Sequence, residues 1–310
     1  MSATQVTATV LAVFLGLAGV ACSRNAIEAV NLAIDGDKAK SSNLEDAISK
    51  YDQATKIDPD NARIWWKLAL AYEKKEDWQK MASACSKAEE TAERADRKKV
   101  HADYYFRQGY ALEQLAEKGA GPWVDAKTPF MTAIQIDPNY AEAYGELAWV
   151  QIHMDDEAGA LQNWTKALQT RPDQTQYYVT LADLYSRLMF PAQAEQVLQQ
   201  GISFATPDDK HLFNMRSLLG SIYELRGDVS RAVTEYEAAK KSCESNKCND
   251  HKEAYFNLGA AYAELKRKDE AIQQLQSFWK ITCKGALAAK FGDQCAQSQE
   301  IVRRVGGSLQ

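Results

Sequence analysis

The feature that most constrains this chain is a pattern of apolar and small residues that recurs about every 34 residues from Arg63 to Trp279. Within one unit, apolar residues at helical spacing predict two amphipathic helices, and a proline ends the second. The clearest unit, Ala141 to Gln174, carries Tyr144, Leu147, Ala148, Ala160, Trp164, Ala167 and Pro172. A single helix pair cannot bury its own apolar face, so neighbouring pairs must stack. The sequence therefore predicts an all-α fold built from stacked helix pairs.

The order of these residues resembles the tetratricopeptide repeat, which alternates an aromatic–Leu–small helix with an Ala–aromatic–Ala helix. About seven such units are recognisable, and the resemblance implies a right-handed α-solenoid. We expect a signal peptide at 1–22, the solenoid at 23–292, and a capping helix and tail at 293–310. The first helix, about Asn25 to Ile34, departs from the pattern. A long polar turn containing Asp35-Gly36-Asp37 is predicted after it. A second longer turn is predicted around Ala116 to Gly121.

Composition and motifs argue against several classes of function. The formal net charge is −5, so the chain lacks the basic balance that nucleic-acid binding requires. The four histidines lie far apart in sequence, and we find no phosphate-binding glycine loop or nucleophile motif. Asp155-Asp156-Glu157 is interpreted as a turn that begins a helix instead of a metal site. We expect a protein that is not an enzyme and needs no cofactor or metal.

The N-terminal segment is typical of an export signal and is kept apart from the repeats. Val6 to Val20 is mostly apolar, and Gly19-Val20-Ala21-Cys22 resembles the lipobox that precedes a lipidated cysteine. The resemblance implies that Cys22 is diacylated and becomes the mature N-terminus. The alternatives are a plain signal peptide and an uncleaved membrane anchor. All three place the repeats outside the cytoplasm. Ser23 after the cysteine is compatible with sorting to the outer membrane, where we expect the protein to face the periplasm.

Resemblance to the repeat family also predicts a partner-binding groove, lined by positions 2, 5, 6, 9, 12 and 13 of each unit. The residues assigned to it are Trp66, Leu70, Phe106, Tyr110, Trp149, His153, Asp183 and Arg187, followed by Ser217, Ser221 and Phe256. The alternative is that several of the aromatic residues pack between helices. For Tyr110 and Trp149 we expect exposure, because neighbouring residues already fill the packing positions. The Lys and Asn that clamp a partner's terminal carboxylate in some members are absent, so that mode of binding is not expected.

The six cysteines divide into three groups. Cys22 is the proposed lipid site, and Cys85 occupies a second-helix packing position, where a buried thiol is expected. The other four lie in the C-terminal third, where an exported protein is expected to form disulfides. Local spacing favours the bridges Cys243–Cys248 and Cys283–Cys295, and stacking of adjacent repeats leaves Cys243–Cys283 open.

The predicted function is a non-catalytic envelope lipoprotein that acts as a scaffold in a multiprotein machine and binds a peptide or helix of other envelope proteins in its groove. The whole arrangement resembles the tetratricopeptide lipoproteins of the bacterial adventurous gliding-motility apparatus. The resemblance lies in Asn25–Val30, the Gly121-Pro122-Trp123 turn and the four C-terminal cysteines. The alternatives are a pilotin-like lipoprotein that assists assembly of a secretin or another outer-membrane channel, and a regulatory partner of a cell-wall enzyme.

Overall fold

The computed structural model describes residues 24–95, 101–245, 252–284 and 287–309, with the backbone alone described for 243–245. Throughout these residues the only regular secondary structure is helical, which confirms the all-α prediction. The helices are α1 (24–39), α2 (Leu44–Ile57), α3 (Ala62–Lys75), α4 (Trp78–Ala95), α5 (Ala102–Glu117), α6 (Val124–Ile136), α7 (Ala141–Ile152), α8 (Glu157–Thr170), α9 (Gln176–Arg187), α10 (Pro191–Phe204), α11 (Leu212–Leu225), α12 (Val229–Ser245), α13 (Lys252–Glu264), α14 (Lys268–Thr282) and α15 (Gly292–Arg304).

Consecutive helices form hairpins, and the hairpins belong to two compact units. Unit 1 ends at Asn163 and unit 2 begins at Trp164, so the boundary falls within α8. In the described part of the chain, α1 to α14 supply the fourteen helices that seven helix pairs require, which matches the predicted number of repeats. In each unit, the second helix of one pair also packs on the first helix of the next, as α4 does on α5 and α12 does on α13. This nearest-neighbour packing is what a repeat protein needs to build a continuous core.

A glycine on the first helix allows close packing within a pair in both units. In unit 1 a Cβ at Gly109 of α5 would lie 2.9 Å from the Phe130 ring of α6. In unit 2 a Cβ at Gly220 of α11 would lie 2.5 Å from the Tyr236 ring of α12. Both rings are almost completely buried. Only a residue without a Cβ lets the helices approach this closely, so these glycines fix the geometry of the pair.

The start of the chain differs from the prediction, because α1 continues through residue 39 and the turn before α2 is short. Asp35-Gly36-Asp37 therefore lies in a helix, and the predicted polar turn is wrong. The cause is tertiary: the Tyr51 hydroxyl donates to Asp37 Oδ1 at 2.7 Å, and Lys67 also binds the Asp37 carboxylate. These two contacts hold the last turn of α1 against α2 and α3. The longer turn predicted after α5 is present, from residue 118 to residue 123.

The C-terminal helix covers the end of unit 2, as expected of a capping helix. α15 packs on α13 and α14, and Cys295, Ser298 and Val302 are its buried residues. Phe291, just before α15, contacts the Phe278 ring edge-on at 6.2 Å between centroids. A disulfide joins Cys283 at the end of α14 to Cys295 in α15, with 5.7 Å between their Cα atoms. None of the helices in the described ranges is long and apolar enough to cross a membrane.

Candidate partner-binding face

The inner face of unit 1 is defined here as the groove positions of α3, α5 and α7. Its first aromatic residues are half-buried and pack between helices. The Trp66 ring lies 5.0 Å from Tyr104, and the Phe106 ring lies 4.9 Å from Tyr140, centroid to centroid. Leu70 is also half-buried. These residues support the stack of helices, which was the alternative to an exposed aromatic strip.

Tyr110 is not the exposed groove residue that the sequence favours. It is half-buried, and its ring meets the edge of Trp78 with 5.8 Å between centroids. The expectation of exposure failed because Trp78, at the start of α4, packs on α5 from the preceding repeat. A residue can occupy an inner-face position and still contribute to the core when the neighbouring helix presents a large side chain.

Trp149 and His153 belong to a more accessible cluster near the end of α7. Trp149 is half-buried, and its indole Nε1 donates to Glu117 Oε1 at 3.2 Å. His153 is exposed and stacks flat on Trp123, with 3.9 Å between ring centroids and an interplanar angle of 3°. Trp123 comes from the turn between α5 and α6. The turn noted in the sequence therefore places a third aromatic ring beside the two predicted residues.

Asp183 and Arg187 lie on α9 in unit 2 and are described separately. Both are exposed, and Arg187 Nε lies 3.4 Å from Asp183 Oδ2. This contact is an ion pair one helical turn apart, which contributes little to stability at an exposed site. Each charge has a partner, so neither is held ready for a ligand.

Two carboxylic residues that were not assigned to the site stand out on the inner face. Glu113 on α5 is 3% exposed, and its Oε2 has no hydrogen-bond partner. Glu146 on α7 is half-buried. They occupy repeat positions 12 and 6, which the family resemblance already places on the inner face. The sequence therefore places both carboxyls on the inner face, but their burial depends on the packing of neighbouring helices and cannot be predicted from the sequence.

The equivalent glutamate of unit 2 shows what Glu113 lacks. Glu224 follows Gly220 by four residues, as Glu113 follows Gly109, and it accepts a hydrogen bond of 2.8 Å from the Tyr236 hydroxyl. In unit 1 the ring that packs on the glycine is Phe130, which has no hydroxyl. An unsatisfied buried polar atom is costly, and native proteins have few of them. Glu113 is therefore an exception that a missing hydroxyl explains structurally.

The electrostatic environment of this pair is uniformly acidic. Burial raises the pKa of the Glu113 carboxyl well above its usual range, and the carboxylates of Glu146 and Glu117 raise it further. Burial is also the main cause that raises the pKa of Glu146, with Glu117 and Glu142 adding to it. The charged groups acting on these two carboxyls all have the same sign, so they disfavour ionisation of either one.

The cysteines were expected to include a lipid site and two bridges. Cys22, Cys248 and the side chain of Cys243 lie outside the described residues, so the first bridge and the lipid site stay predictions. The second pair is the disulfide Cys283–Cys295 described above. Cys85 is buried, and burial raises the pKa of its thiol, as expected for an unreactive packing residue.

In the ranges that the structure describes, no group of three or more histidine, cysteine, aspartate or glutamate side chains could hold a metal ion. The Asp155-Asp156-Glu157 segment forms the predicted turn: Asp156 Oδ1 accepts the Gly159 amide at 3.0 Å and caps the start of α8. Its acidic residues thus have a structural role at the helix N-terminus.

Stacked helix pairs, each able to present side chains from its first helix, define a helical repeat protein. Family models described as TPR repeat and tetratricopeptide repeat match residues 39–76, 130–162 and 253–281. The chain therefore contains tetratricopeptide repeats. Proteins of this family are generally non-catalytic scaffolds that bind peptides or other proteins. No curated protein matches the sequence significantly.

Solved structures show the same fold at low sequence identity. The C-terminal part of a TPR repeat-containing protein from Cytophaga hutchinsonii has a TM-score of 0.64 at 12% identity, covering 82% of this chain and 97% of that one. PilF from Pseudomonas aeruginosa has a TM-score of 0.52 at 18% identity, covering 70% and 92%. MamA from Desulfovibrio magneticus has a TM-score of 0.50 at 14% identity, covering 57% and 94%. These likenesses concern the fold alone.

Proposed function

We propose that this protein is a lipid-anchored scaffold of a bacterial envelope and that unit 1 holds a segment of a partner protein on its inner face. The observation that carries the proposal is the cluster at the ends of α5 and α7. There the rings of Trp149, His153 and Trp123 contact one another and form one aromatic cluster. Aromatic residues dominate binding hot spots.

Location in the envelope is supported by the ends of the chain. Cys22 follows an apolar segment and small residues, and diacylation there would give the stable anchoring that a single acyl chain cannot. The Cys283–Cys295 disulfide supports an oxidising compartment, because such bonds are rare in the cytosol. We therefore place the protein on the periplasmic side of the outer membrane.

The machine that we favour is the gliding-motility apparatus, on the sequence resemblance given above. The alternatives are assembly of a secretin or another outer-membrane channel, and regulation of a cell-wall enzyme. The three differ in the partner, so identification of the bound protein distinguishes between them.

The test is crosslinking of whole envelopes followed by recovery of the tagged full-length protein. We expect motility proteins to be enriched, and Trp149→Ala to reduce their recovery strongly because it removes the aromatic contact surface. The matched control is Trp279→Ala on α14, which removes an equally half-buried tryptophan from a second helix of unit 2. Tyr110→Ala is unsuitable as a test, because the Tyr110 ring packs on Trp78 and its loss would weaken the core.

Each outcome bears on the proposal. Equal recovery with both tryptophan variants would contradict binding on the inner face of unit 1. Enrichment of a secretin or of a cell-wall enzyme would replace the motility assignment with one of the alternatives. Mass spectrometry of the mature protein tests the anchor: an intact segment from Met1 to Cys22 would contradict lipidation, whereas Cys22→Ala should release the protein or leave it unprocessed.

A further inference from the structure

In unit 2, the turns that join the two helices of a pair carry strongly exposed apolar side chains. Met189, in the α9–α10 turn, is 77% exposed, and Leu225, the last residue of α11, is 74% exposed. They are the two most exposed large apolar side chains in the described residues, and Phe190 beside Met189 is 49% exposed. A single exposed apolar residue is ordinary, whereas a group of them marks an interaction site. Whether the two turns lie together therefore decides how these side chains are interpreted.

The two turns are joined through Glu195, near the start of α10. The Tyr223 hydroxyl, near the end of α11, donates to Glu195 Oε1 at 3.0 Å. The Arg226 guanidinium, one residue after α11, also binds the Glu195 carboxylate. Phe190 immediately precedes α10 and Leu225 ends α11, so this network holds the turns that carry them on one edge of unit 2.

Backbone geometry does not explain the methionine in the first of these turns. Met189 has a φ of 64°, in the left-handed region that favours glycine. The equivalent turn between α11 and α12 has Gly227 at this position, with a φ of 78°. The chain therefore keeps a long apolar side chain where the turn favours a residue without one. Such a departure indicates that the side chain has a role of its own.

The next turn of unit 2, between α13 and α14, carries positive charge. Lys266 takes the left-handed position there, with a φ of 60°. With Lys268 and Arg304 it lines a cavity of about 700 Å³, to which Glu264 contributes one carboxylate. Lys268 Nζ lies against the end of α15, 3.3 Å from where a Cβ on Gly306 would be. Within the described ranges none of these three cations has an ion pair. Because the turns occupy equivalent places in successive pairs, apolar side chains and uncompensated positive charge follow one another along one edge.

We infer that this edge of unit 2, the turn edge, lies on the surface of a lipid bilayer with anionic headgroups. The inference rests on the proposed function, since the lipid anchor brings the chain to a membrane. The apolar side chains enter the interface between headgroups and acyl chains, and the cations bind lipid phosphates. The residues of the turn edge are Met189, Phe190, Leu225, Lys266, Lys268 and Arg304.

A bilayer fits the turn edge better than a protein partner does. The tips of successive turns can enter a deformable, planar surface together, whereas a protein would need a separate cavity for each tip. The combination of apolar residues with unpaired lysine and arginine is also what interfacial membrane binding uses. A second attachment of this kind adds to the acyl chains and fixes which side of unit 2 faces the membrane.

The test uses the full-length lipidated protein with isotope-labelled methionine methyl groups. It is placed in nanodiscs of phosphatidylcholine and phosphatidylglycerol that contain a nitroxide-labelled lipid. The Met189 and Met131 methyl signals are assigned by their loss in Met189→Leu and Met131→Leu. Met131, which is 42% exposed on α6 of unit 1, is the reference. We expect the nitroxide to broaden the Met189 signal severalfold more than the Met131 signal.

Two double variants test the apolar part of the turn edge. Phe190→Ser with Leu225→Ser should abolish most of the broadening of the Met189 signal, because it removes the neighbouring apolar contacts. The matched control is Phe204→Ser with Ile281→Ser. These residues are 45% and 43% exposed and lie near the other ends of second helices in unit 2, so the broadening should not change. Circular dichroism checks that both variants fold.

A further pair of variants tests the cations. Lys266→Gln with Lys268→Gln should weaken the broadening in discs that contain phosphatidylglycerol and leave it unchanged in discs of phosphatidylcholine alone. Lys166→Gln with Lys280→Gln removes two exposed charges from second helices of unit 2 and should have no effect. High salt should act like the first double variant, because it screens the attraction between lysines and headgroups.

Several outcomes would overturn the inference. Equal broadening of the Met189 and Met131 signals would do so, as would broadening that persists in the Phe190 and Leu225 double variant. Protection of Met189 from a soluble relaxation agent only after envelope proteins are added would assign the turn edge to a protein partner. If the protein copurifies with the discs and the Met189 signal stays sharp, the anchored scaffold stands and only the turn edge fails. Failure to copurify would contradict the anchor and the turn edge together.

Discussion

The α5–α6 pair of unit 1 and the α11–α12 pair of unit 2 share one packing arrangement, and the ring that packs on the glycine carries a hydroxyl only in unit 2. Each places an aromatic ring on a glycine of the first helix and a glutamate four residues further on. In unit 2 the Tyr236 hydroxyl binds Glu224 and also lies 3.1 Å from the Ser221 hydroxyl. In unit 1 Phe130 leaves Glu113 unsatisfied. One pair thus closes its hydrogen bonds internally, and the other leaves a buried carboxyl oxygen without a hydrogen-bond partner.

This difference shows how one side chain can change the hydrogen bonding of a repeat without changing its backbone. Leaving a buried acceptor without a donor costs about 1–3 kcal/mol. The following predictions test whether the two pairs differ in this way alone.

The largest expected effect is loss of the packed ring itself. Phe130→Ala should lower the free energy of unfolding by about 3–5 kcal/mol, because it opens a cavity around a fully buried ring. Tyr236→Ala should cost at least as much, since it also removes the donor to Glu224. Urea unfolding of the full-length protein measures both. Leu225→Ala, at a 74% exposed position, is the control with little effect. A Phe130→Ala effect under about 1 kcal/mol would contradict the shared packing.

The next effect concerns the end of unit 2, which is held by a disulfide. Cys283 and Cys295 are 12 residues apart, and closing a loop of this size is worth ~3 kcal/mol in the chain-entropy view. Cys283→Ser with Cys295→Ser should therefore free α15 and speed amide hydrogen exchange in α14 and α15. Exchange in α3 and α4 of unit 1 should not change. If amide exchange in α14 and α15 is the same in the wild type and the variant, packing alone holds the capping helix.

The comparison itself is tested by exchanging the two rings. Tyr236→Phe should destabilise the protein by about 1–2 kcal/mol by leaving Glu224 without its donor. Phe130→Tyr should stabilise it by about 1 kcal/mol, because the new hydroxyl reaches Glu113 as Tyr236 reaches Glu224. The gain should disappear when Phe130→Tyr is made in a Glu113→Leu background, because leucine offers the new hydroxyl no acceptor. A stabilising effect that survives there would mean that the hydroxyl acts through other contacts.

The repeat could be predicted from the sequence because its signature residues are those that pack. Gly109, Phe130 and Ala126 follow the pattern and are all buried. What could not be predicted depends on contacts between elements: α1 extends because Tyr51 and Lys67 bind Asp37, and Tyr110 is covered by Trp78. The position of Glu113 in the repeat predicts that its carboxyl lies on the inner face, but only the packed structure shows that it is buried without a donor.

The smallest effect is the pH dependence of stability that the raised pKa of Glu113 produces. In the unfolded chain this carboxyl titrates near pH 4.5, whereas in the folded protein burial and neighbouring carboxylates hold its pKa well above that value. Between the two pKa values the folded state retains a proton that the unfolded state has lost. Stability therefore falls as the pH rises through this window. Glu89 acts in the same direction, because burial raises its pKa to about 8.

Replacing Glu113 with Gln removes the part that Glu113 contributes to this pH dependence of stability and leaves the contribution of Glu89 in place. Glu113→Gln should be nearly as stable as wild type at pH 5 and more stable by about 1 kcal/mol or more at pH 8, since one pKa unit corresponds to 1.36 kcal/mol. The free energy of unfolding in urea, measured from pH 5 to pH 8, provides the comparison, with the exposed Glu300→Gln as a control of unchanged slope. Parallel curves for wild type and Glu113→Gln would mean that Glu113 ionises normally.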